Sequence, residues 1–251
     1  MYRDLFMMLV WRDILVRYKQ TVLGAAWAIL QPLTAMLIFT VIFGRLAKIP
    51  SDELPYPIFA YSGLLIWTYF SQTLTQASNS LIQNERLVTK IYFPRILMPT
   101  APIAAGLLDM AIGSVLLLFL LPYFGVSLSP NIWAAPIMIA LAAISSMSAG
   151  ILISALNVKY RDFRHVLPFL VQIWMYASPV VYPASLIPEK WRLLFAVNPM
   201  VGAVHGFRWA LLGTDVNPWP LIAVSSVSAL IILLFALIYF SRSEEYFADL
   251  I

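Results

Sequence analysis

The sequence predicts an all-α polytopic membrane protein with six transmembrane helices, on the basis of its composition, the spacing of its charges and their asymmetry. Of its 251 residues, 61% are hydrophobic and 11% are charged, whereas soluble domains are about 45–50% apolar and about 25% charged. Long uncharged segments alternate with short charged ones. A water-soluble fold is therefore excluded, and residues 1–251 are predicted to form a single transmembrane domain.

Six segments are long and apolar enough to be spans, because a hydrocarbon core about 30 Å thick needs roughly 20 helical residues. The third and fourth spans share one apolar stretch, which the turn-rich residues from Pro122 to Asn131 divide. The predicted spans are 24–45, 58–79, 98–121, 132–156, 165–183 and 219–240.

Basic residues predict the orientation of these helices. Most of the 16 Lys and Arg residues fall on the side that carries both termini, and the positive-inside rule places that side in the cytoplasm. We therefore interpret the net charge of +4 as a topology signal and predict no nucleic-acid partner. The predicted location is a cell inner membrane, with the first span retained as an anchor rather than cleaved as a signal peptide.

Three segments outside the predicted spans have compositions that suggest specific roles. Residues 1–20 mix basic, acidic, apolar and aromatic side chains, which predicts an amphipathic helix for lipid anchoring or partner docking. Residues 80–95 predict a short charged helix that stops at Phe93-Pro94. Such a helix would be either a contact site for another protein or a solvated connector. Residues 188–213 are semi-apolar and broken at Asn198-Pro199, so we predict a re-entrant or interfacial helical pair there.

Side chains inside the predicted spans suggest two further roles. Asp109 is the acidic residue within a span, where a carboxylate serves either structural pairing or proton coupling. We favour pairing with a neighbouring helix, because no relay of ionisable groups accompanies Asp109 in the sequence. Aromatic faces stack on sugar rings, so a saccharide path would suit four aromatic residues: Trp27, Phe39, Trp174 and Tyr176.

No motif for chemistry is present. None of the ten glycines precedes a lysine, which excludes a G-x-x-x-x-G-K-[ST] phosphate loop, and H-E-x-x-H and G-x-S-x-G are also absent. Zero cysteines and two histidines argue against a metal cluster. The chain is predicted to be a non-enzyme that binds no metal or cofactor and takes its energy from a gradient or a partner.

Several short motifs occur in a fixed order along nearly the whole chain. They are Arg17-Tyr18 with Leu23-Gly24, Trp27 and Pro32; Phe93-Pro94-Arg95 with Pro99; Asn157 with Tyr160-Arg161-Asp162; and Pro188, Trp191 and Asn198-Pro199. With six spans and both termini inside, this pattern resembles the permease family of type-2 ABC exporters. The branch it resembles exports O-antigen, capsular or teichoic polysaccharides.

The resemblance implies a homodimer of this chain with two copies of a separate ATP-binding subunit, which would hold ATP and Mg²⁺. The first and fifth spans would line a path for a lipid-linked polysaccharide. The N-terminal helix and segment 80–95, as a coupling helix, would contact the ATPase through Glu85, Arg86, Lys90, Arg95, Arg12 and Arg17. Segment 188–213 would form external gate helices with Trp191, Asn198, Pro199, Gly202 and Gly206.

Other functions stay open from the sequence. The same fold could export a drug, a lipid or a teichoic acid. A gradient-driven carrier would use Asp109, and a non-transporting membrane scaffold would need no energy source.

Overall fold

A computed structural model describes residues 2–19, 24, 26–160, 162–214 and 217–247. Within these residues the protein is all-α, with 82% helix and no strand. Leu23 and Arg161 of the motifs lie outside the described residues, as do residues 1, 20 and 25. The helices are α1 (Tyr2–Tyr18), α2 (Ala26–Phe39), α3 (Tyr56–Gln83), α4 (Glu85–Lys90), α5 (Leu97–Tyr123), α6 (Ala135–Lys159), α7 (Phe163–Tyr176), α8 (Glu189–Phe195), α9 (Pro199–Leu212) and α10 (Trp219–Ser243).

Four described helical segments are long and apolar enough to cross a membrane. They coincide with the first, third, fourth and sixth predicted spans. In two of them a different helix type adjoins the α-helix: Thr40–Leu46 continues α2 as a π-helix, and Pro130–Ala134 precedes α6 as a 3-10 helix. The four segments are Ala26–Leu46, Leu97–Tyr123, Pro130–Lys159 and Trp219–Ser243.

The second predicted span, 58–79, lies within α3, which forms the centre of the bundle. Its 28 residues exceed the length that a span requires, but serine, threonine, asparagine and glutamine side chains make it less apolar than the other long helices. It contacts α2, α5, α6, α7 and α9. Because protein surrounds α3, its polar side chains bond within the bundle; Thr73 and Ser146 of α6, for example, lie 2.7 Å apart.

The fifth predicted span, 165–183, is wrong at its C-terminal boundary. The helix found there, α7, ends at Tyr176, and its 14 residues reach only about 21 Å at 1.5 Å per residue. Pro179 and Pro183 follow, and each lacks the N–H that a helix needs and disfavours helical backbone in the preceding residue. Six uncharged residues after Tyr176 are therefore irregular, although their composition resembles a span.

Three apolar clusters lie in the described part of the bundle, and two of them are large. The larger one surrounds α3. The smaller one, which we name the Phe247 cluster, lies at the end of the bundle that carries α4 and draws on α1, α3, α4, α5, α6, α10 and the segment after α10. Its buried members include Leu9, Val88, Phe93, Phe240 and Phe247. Through Leu9, α1 therefore packs into the protein, and it runs along α5.

Candidate functional site

The short helix α4 presents a charged surface at one end of the bundle. Its Val88 and the following Phe93 are buried in the Phe247 cluster. Asn84, which precedes α4, accepts a 2.8 Å hydrogen bond from the Arg12 guanidinium of α1. This anchoring leaves Glu85, Arg86 and Lys90 exposed side by side.

The six predicted coupling residues divide into two groups. Glu85, Arg86 and Lys90 are exposed and free to meet another molecule, whereas the three remaining arginines bond to the chain itself. Arg12 pairs with Asp13 at 2.8 Å, and the backbone N–H of Arg95 donates to a Glu244 carboxylate oxygen at 3.0 Å. The third is Arg17, which pairs with Asp109.

Tyr92 is a residue that the sequence reasoning missed. It lies directly after α4, and its side chain is 97% exposed. The sequence offered one signal for it, because Tyr92 is an aromatic residue within the charged segment 80–95 and next to Phe93-Pro94. Because exposed tyrosines are enriched in the energetically important centres of interfaces, Tyr92 belongs with the exposed charges of α4.

Asp109 lies in a polar groove between α1, α2, α3 and α5. Its carboxylate forms an ion pair with Arg17 and accepts a hydrogen bond from the Tyr18 hydroxyl. Arg17 also donates to Gln76 at 2.5 Å. Burial lowers the pKa of Arg17, while the Asp13 charge raises it. The sequence predicted pairing for Asp109, and the partner is the N-terminal helix rather than another span.

The same groove is open on one side and holds about 330 Å³. Trp27 of α2 lines it with 54% of its side chain exposed. Gln72 of α3 donates to Gln31 of α2 at 2.8 Å, so the side-chain amides of the two helices face the groove. Its lining supplies hydrogen-bonding groups and one aromatic face at the depth of the spans.

The four aromatic residues predicted to line a path are not brought together. Trp27 and Tyr176 are more than half exposed on α2 and α7. Phe39 packs edge-on against Phe43 at 5.4 Å. Trp174 packs edge-on against Phe70 at 5.0 Å and donates its indole N–H to Asn198 at 2.8 Å, so its ring is already engaged within the chain.

The segment 188–213 forms two helices, α8 and α9, that meet at Asn198-Pro199. Asn198 caps α9 by accepting from the Met200 N–H at 3.1 Å, and its amide nitrogen donates to the Ala177 carbonyl at 3.0 Å. Pro199 occupies the first helical position, where its missing N–H has no cost. The cap therefore fixes both the start of α9 and the irregular chain after α7.

The remaining predicted gate residues have different surroundings. Trp191 of α8 is half exposed. Gly202 donates its backbone N–H to Ser225 of α10 at 3.0 Å, and Gly206 lies against Met138 and Ile222. The two glycines thus bring α9 close to α6 and α10, and α9 is almost wholly buried.

Arg208 is the second residue that the sequence analysis missed, because it was not distinguished there from the other Lys and Arg residues. Its side chain is only 2% exposed. The guanidinium donates to the carbonyls of Phe59, Pro179 and Val180 and lies 3.7 Å from the centre of the Phe59 ring. We call this arrangement the Arg208 cage; it joins α9 to α3 and to the irregular chain after α7.

Close approach at the Arg208 cage requires a glycine. A Cβ atom on Gly63 of α3 would collide with the Arg208 guanidinium and lie 2.6 Å from the Val180 carbonyl oxygen.

No group of three or more His, Cys, Asp or Glu side chains that could hold a metal occurs in the part of the chain that the structure describes.

Comparison with known proteins points to one family. Residues 4–212 match the family model described as "ABC-2 type transporter". An O-antigen export system permease protein of Myxococcus xanthus, RfbA, is 28% identical over 249 residues, which cover 98% of this chain and 95% of the relative. A Klebsiella pneumoniae protein of the same name is 25% identical over 99% of this chain and 95% of the relative.

Two further relatives have other names. The polysialic acid transport protein KpsM of Escherichia coli is 24% identical over 93% of this chain and 91% of the relative. The inner membrane transport permease YadH of the same species is 24% identical over 85% of this chain and 86% of the relative. All four similarities extend over most of both proteins.

Proposed function

The chain belongs to the ABC-2 type transporter family, and from that premise we propose that it is the membrane permease of an exporter for a lipid-linked polysaccharide. Like its relatives it is a multi-pass membrane protein. A separate ATP-binding subunit supplies the energy and holds ATP and Mg²⁺. Both termini lie in the cytoplasm, and the polymer moves outward across the inner membrane.

The observation that carries this proposal is the near-complete similarity to permeases named for polysaccharide export. Two are named for O-antigen and one for polysialic acid, and these polymers share a long, polar, sugar-based chain. A permease for such a chain needs a hydrophilic path through the bilayer. The groove with Gln31, Gln72, Asp109 and the exposed Trp27 supplies hydrogen-bonding and stacking groups for the start of that path.

Incomplete packing of two helices supports a homodimer. Within α7 only Leu167 is buried, and within α2 only Pro32 and Met36 are. Both helices leave most of their surface uncovered at the positions of the predicted first and fifth spans. A second copy of the chain would place the exposed faces of both helices around a shared path, with Trp27 and Tyr176 on them.

Coupling to the ATP-binding subunit would occur at α4. This helix is separate from the membrane-crossing segments, and it exposes Glu85, Arg86 and Lys90 together with Tyr92. Its buried side, through Val88, touches the Phe247 cluster, where five other helices meet. A push on α4 would therefore reach α1, α3, α5, α6 and α10 together.

Deletion of the protein tests the proposal directly. We expect lipid-linked polymer to accumulate on the cytoplasmic side and surface glycan to disappear, with both restored by the wild-type chain. Cell fractionation followed by analysis of the lipid-linked glycans measures this. Normal surface glycan in the deletion strain would contradict polysaccharide export and favour a drug, lipid or teichoic acid as substrate.

A further inference from the structure

The residues after α10 bond to the connection between α4 and α5. Glu244 opens a 3-10 turn, Glu244–Tyr246, and its carboxylate accepts from the Arg95 backbone N–H at 3.0 Å. The Arg95 guanidinium donates to the Glu244 backbone carbonyl. These partners are 149 residues apart in the chain, so the contact is formed by the fold and not by proximity in sequence.

Phe247 adds an apolar contact to these bonds. Its side chain is 1% exposed and packs edge-on against Phe240 of α10, with ring centres 5.2 Å apart. Both rings belong to the cluster that buries Val88 of α4 and the following Phe93. Segment 244–247 therefore touches the region around α4 through a polar contact at Arg95 and an apolar contact within the Phe247 cluster.

The helix α4 depends on such contacts for its order. It has six residues, and isolated helices shorter than about 12–15 residues are marginal in water. At its start, Asn84 is bonded to Arg12 of α1. Five residues after its end at Lys90, Arg95 is bonded to Glu244. The surface that we assign to the ATP-binding subunit is thus anchored on one side by the N-terminal helix and on the other by the segment after α10.

We infer that segment 244–247 is a positioning element, which holds α4 at a fixed angle to α5 and transmits its displacement to α5 and α10 together. This inference rests on the proposed function, because it assumes that α4 receives the push of an ATP-binding subunit. Arg95 lies two residues before α5 begins at Leu97. Without the Glu244 contact, movement of α4 would be absorbed in residues 91–96 before it reached α5.

The absence of cysteine from the sequence allows a direct test with a spin label on a single introduced cysteine. Thr89→Cys places the label on the exposed side of α4, and Leu128→Cys, also exposed, is the control label in the connection between α5 and α6. The label is measured in four backgrounds of the chain in lipid bilayers: full length, a chain ending at Ser243, Glu244→Ala and Glu244→Gln.

We expect the chain ending at Ser243 to show the most mobile label at position 89. Glu244→Ala should raise the mobile fraction about fivefold, the effect of losing one hydrogen bond. Glu244→Gln should rescue it, because an amide oxygen still accepts from the Arg95 N–H. The label at position 128 should stay unchanged throughout. Equal mobility at position 89 in the full-length and shortened chains would overturn the inference.

A second measurement separates positioning from folding. In membrane vesicles that contain the chain with its ATP-binding subunit, Glu244→Ala should keep the subunit bound and hydrolysing ATP, because Glu85, Arg86 and Lys90 are unchanged. It should lower the polymer exported per ATP hydrolysed, with rescue by Glu244→Gln. Unchanged export per ATP with a mobile α4 would overturn the transmission role. If the wild-type chain associates with no ATP-binding subunit, the proposed function fails, and the spin-label result still decides whether segment 244–247 orders α4.

Discussion

Two arginines in this chain, one partly exposed and one buried, are held by different kinds of partner. Arg17 of α1 is paired with the Asp109 carboxylate and borders an open groove. Arg208 of α9 bonds to three backbone carbonyls and one aromatic face, and it lies completely inside the bundle. The Arg17 pair joins α1 to α5 beside a groove that water can enter. The Arg208 bonds hold the irregular chain after α7 in the buried interior.

The different surroundings of Arg17 and Arg208 indicate which helices can move. An ion pair beside solvent contributes modestly to stability, because water competes for both partners. A buried guanidinium held by carbonyls is expensive to disturb, since both the charge and its acceptors lose their partners. We therefore expect α1 to be adjustable and α9 to be fixed relative to α3.

The largest expected effect follows from removal of the Arg208 side chain. Arg208→Ala removes the donor to the buried carbonyls of Pro179 and Val180 and opens a cavity. It should cost about 3–5 kcal/mol of stability, because each unpaired buried acceptor costs about 1–3 kcal/mol and the cavity adds to this. The melting temperature of the detergent-purified protein measures this. Arg208→Lys, which keeps the charge and loses the planar fork, should fall between Ala and wild type. An unchanged melting temperature for Arg208→Ala would remove the distinction between the two arginines.

A smaller loss of stability is expected from Gly63→Ala, which adds a methyl group to the Arg208 cage and leaves Arg208 in place. The Cβ of Gly63→Ala would collide with the Arg208 guanidinium, and overpacking of this kind costs about 1–3 kcal/mol. The same melting measurement applies. Combined with Arg208→Ala, the Gly63 substitution should cost less than it does alone, because the guanidinium is gone and only the Val180 carbonyl oxygen still crowds the new Cβ. Simple additivity of the two losses would show that the collision is not the cause.

Disruption of the Arg17 pair should cost less stability than either change at the Arg208 cage. We expect Asp109→Asn to lower stability by about 1 kcal/mol and to reduce polysaccharide export without abolishing it. Surface glycan measurement in cells checks export, and Arg17→Asp combined with Asp109→Arg should restore part of it. Complete loss of export in Asp109→Asn, at normal protein levels, would favour the gradient-driven carrier instead.

The smallest effect on stability is expected outside both arginine sites, on the exposed side of α4. Glu85→Lys with Arg86→Glu should change stability by no more than about 0.5 kcal/mol while lowering co-purification of the ATP-binding subunit. The matched control is Lys190→Glu on α8, which is also exposed and should leave co-purification unchanged. Equal recovery of the subunit with all three proteins would contradict the coupling role of α4.

Much of the fold could be predicted, because apolar length and charge spacing act locally along the chain. The four apolar helices coincide with predicted spans, and the break at Asn198-Pro199 appears where proline must start a new helix. The end of α7 was missed because Ser178 to Tyr182 are uncharged and read as a continuation. Pro179 was the overlooked signal.

The sites were less predictable, because their partners are distant in sequence. Pairing of Asp109 with a neighbouring helix was predicted, but its partner was not. That partner, Arg17, lies 92 residues earlier, on the N-terminal helix predicted for lipid anchoring or partner docking. Arg208 looked like a topology signal because the carbonyls that hold it carry no side-chain pattern. The contact of Arg95 with Glu244 joins positions that are 149 residues apart.

The Arg208 cage has a consequence for how the protein is made. Phe59 and the Pro179-Val180 backbone are synthesised before Arg208, so the acceptors for its guanidinium already exist when α9 emerges from the ribosome. Until these groups meet, the unpaired charge of Arg208 opposes burial of α9 in the bundle. We therefore expect α9 to pack after α3 and the chain beyond α7 are in place, as a late step of assembly.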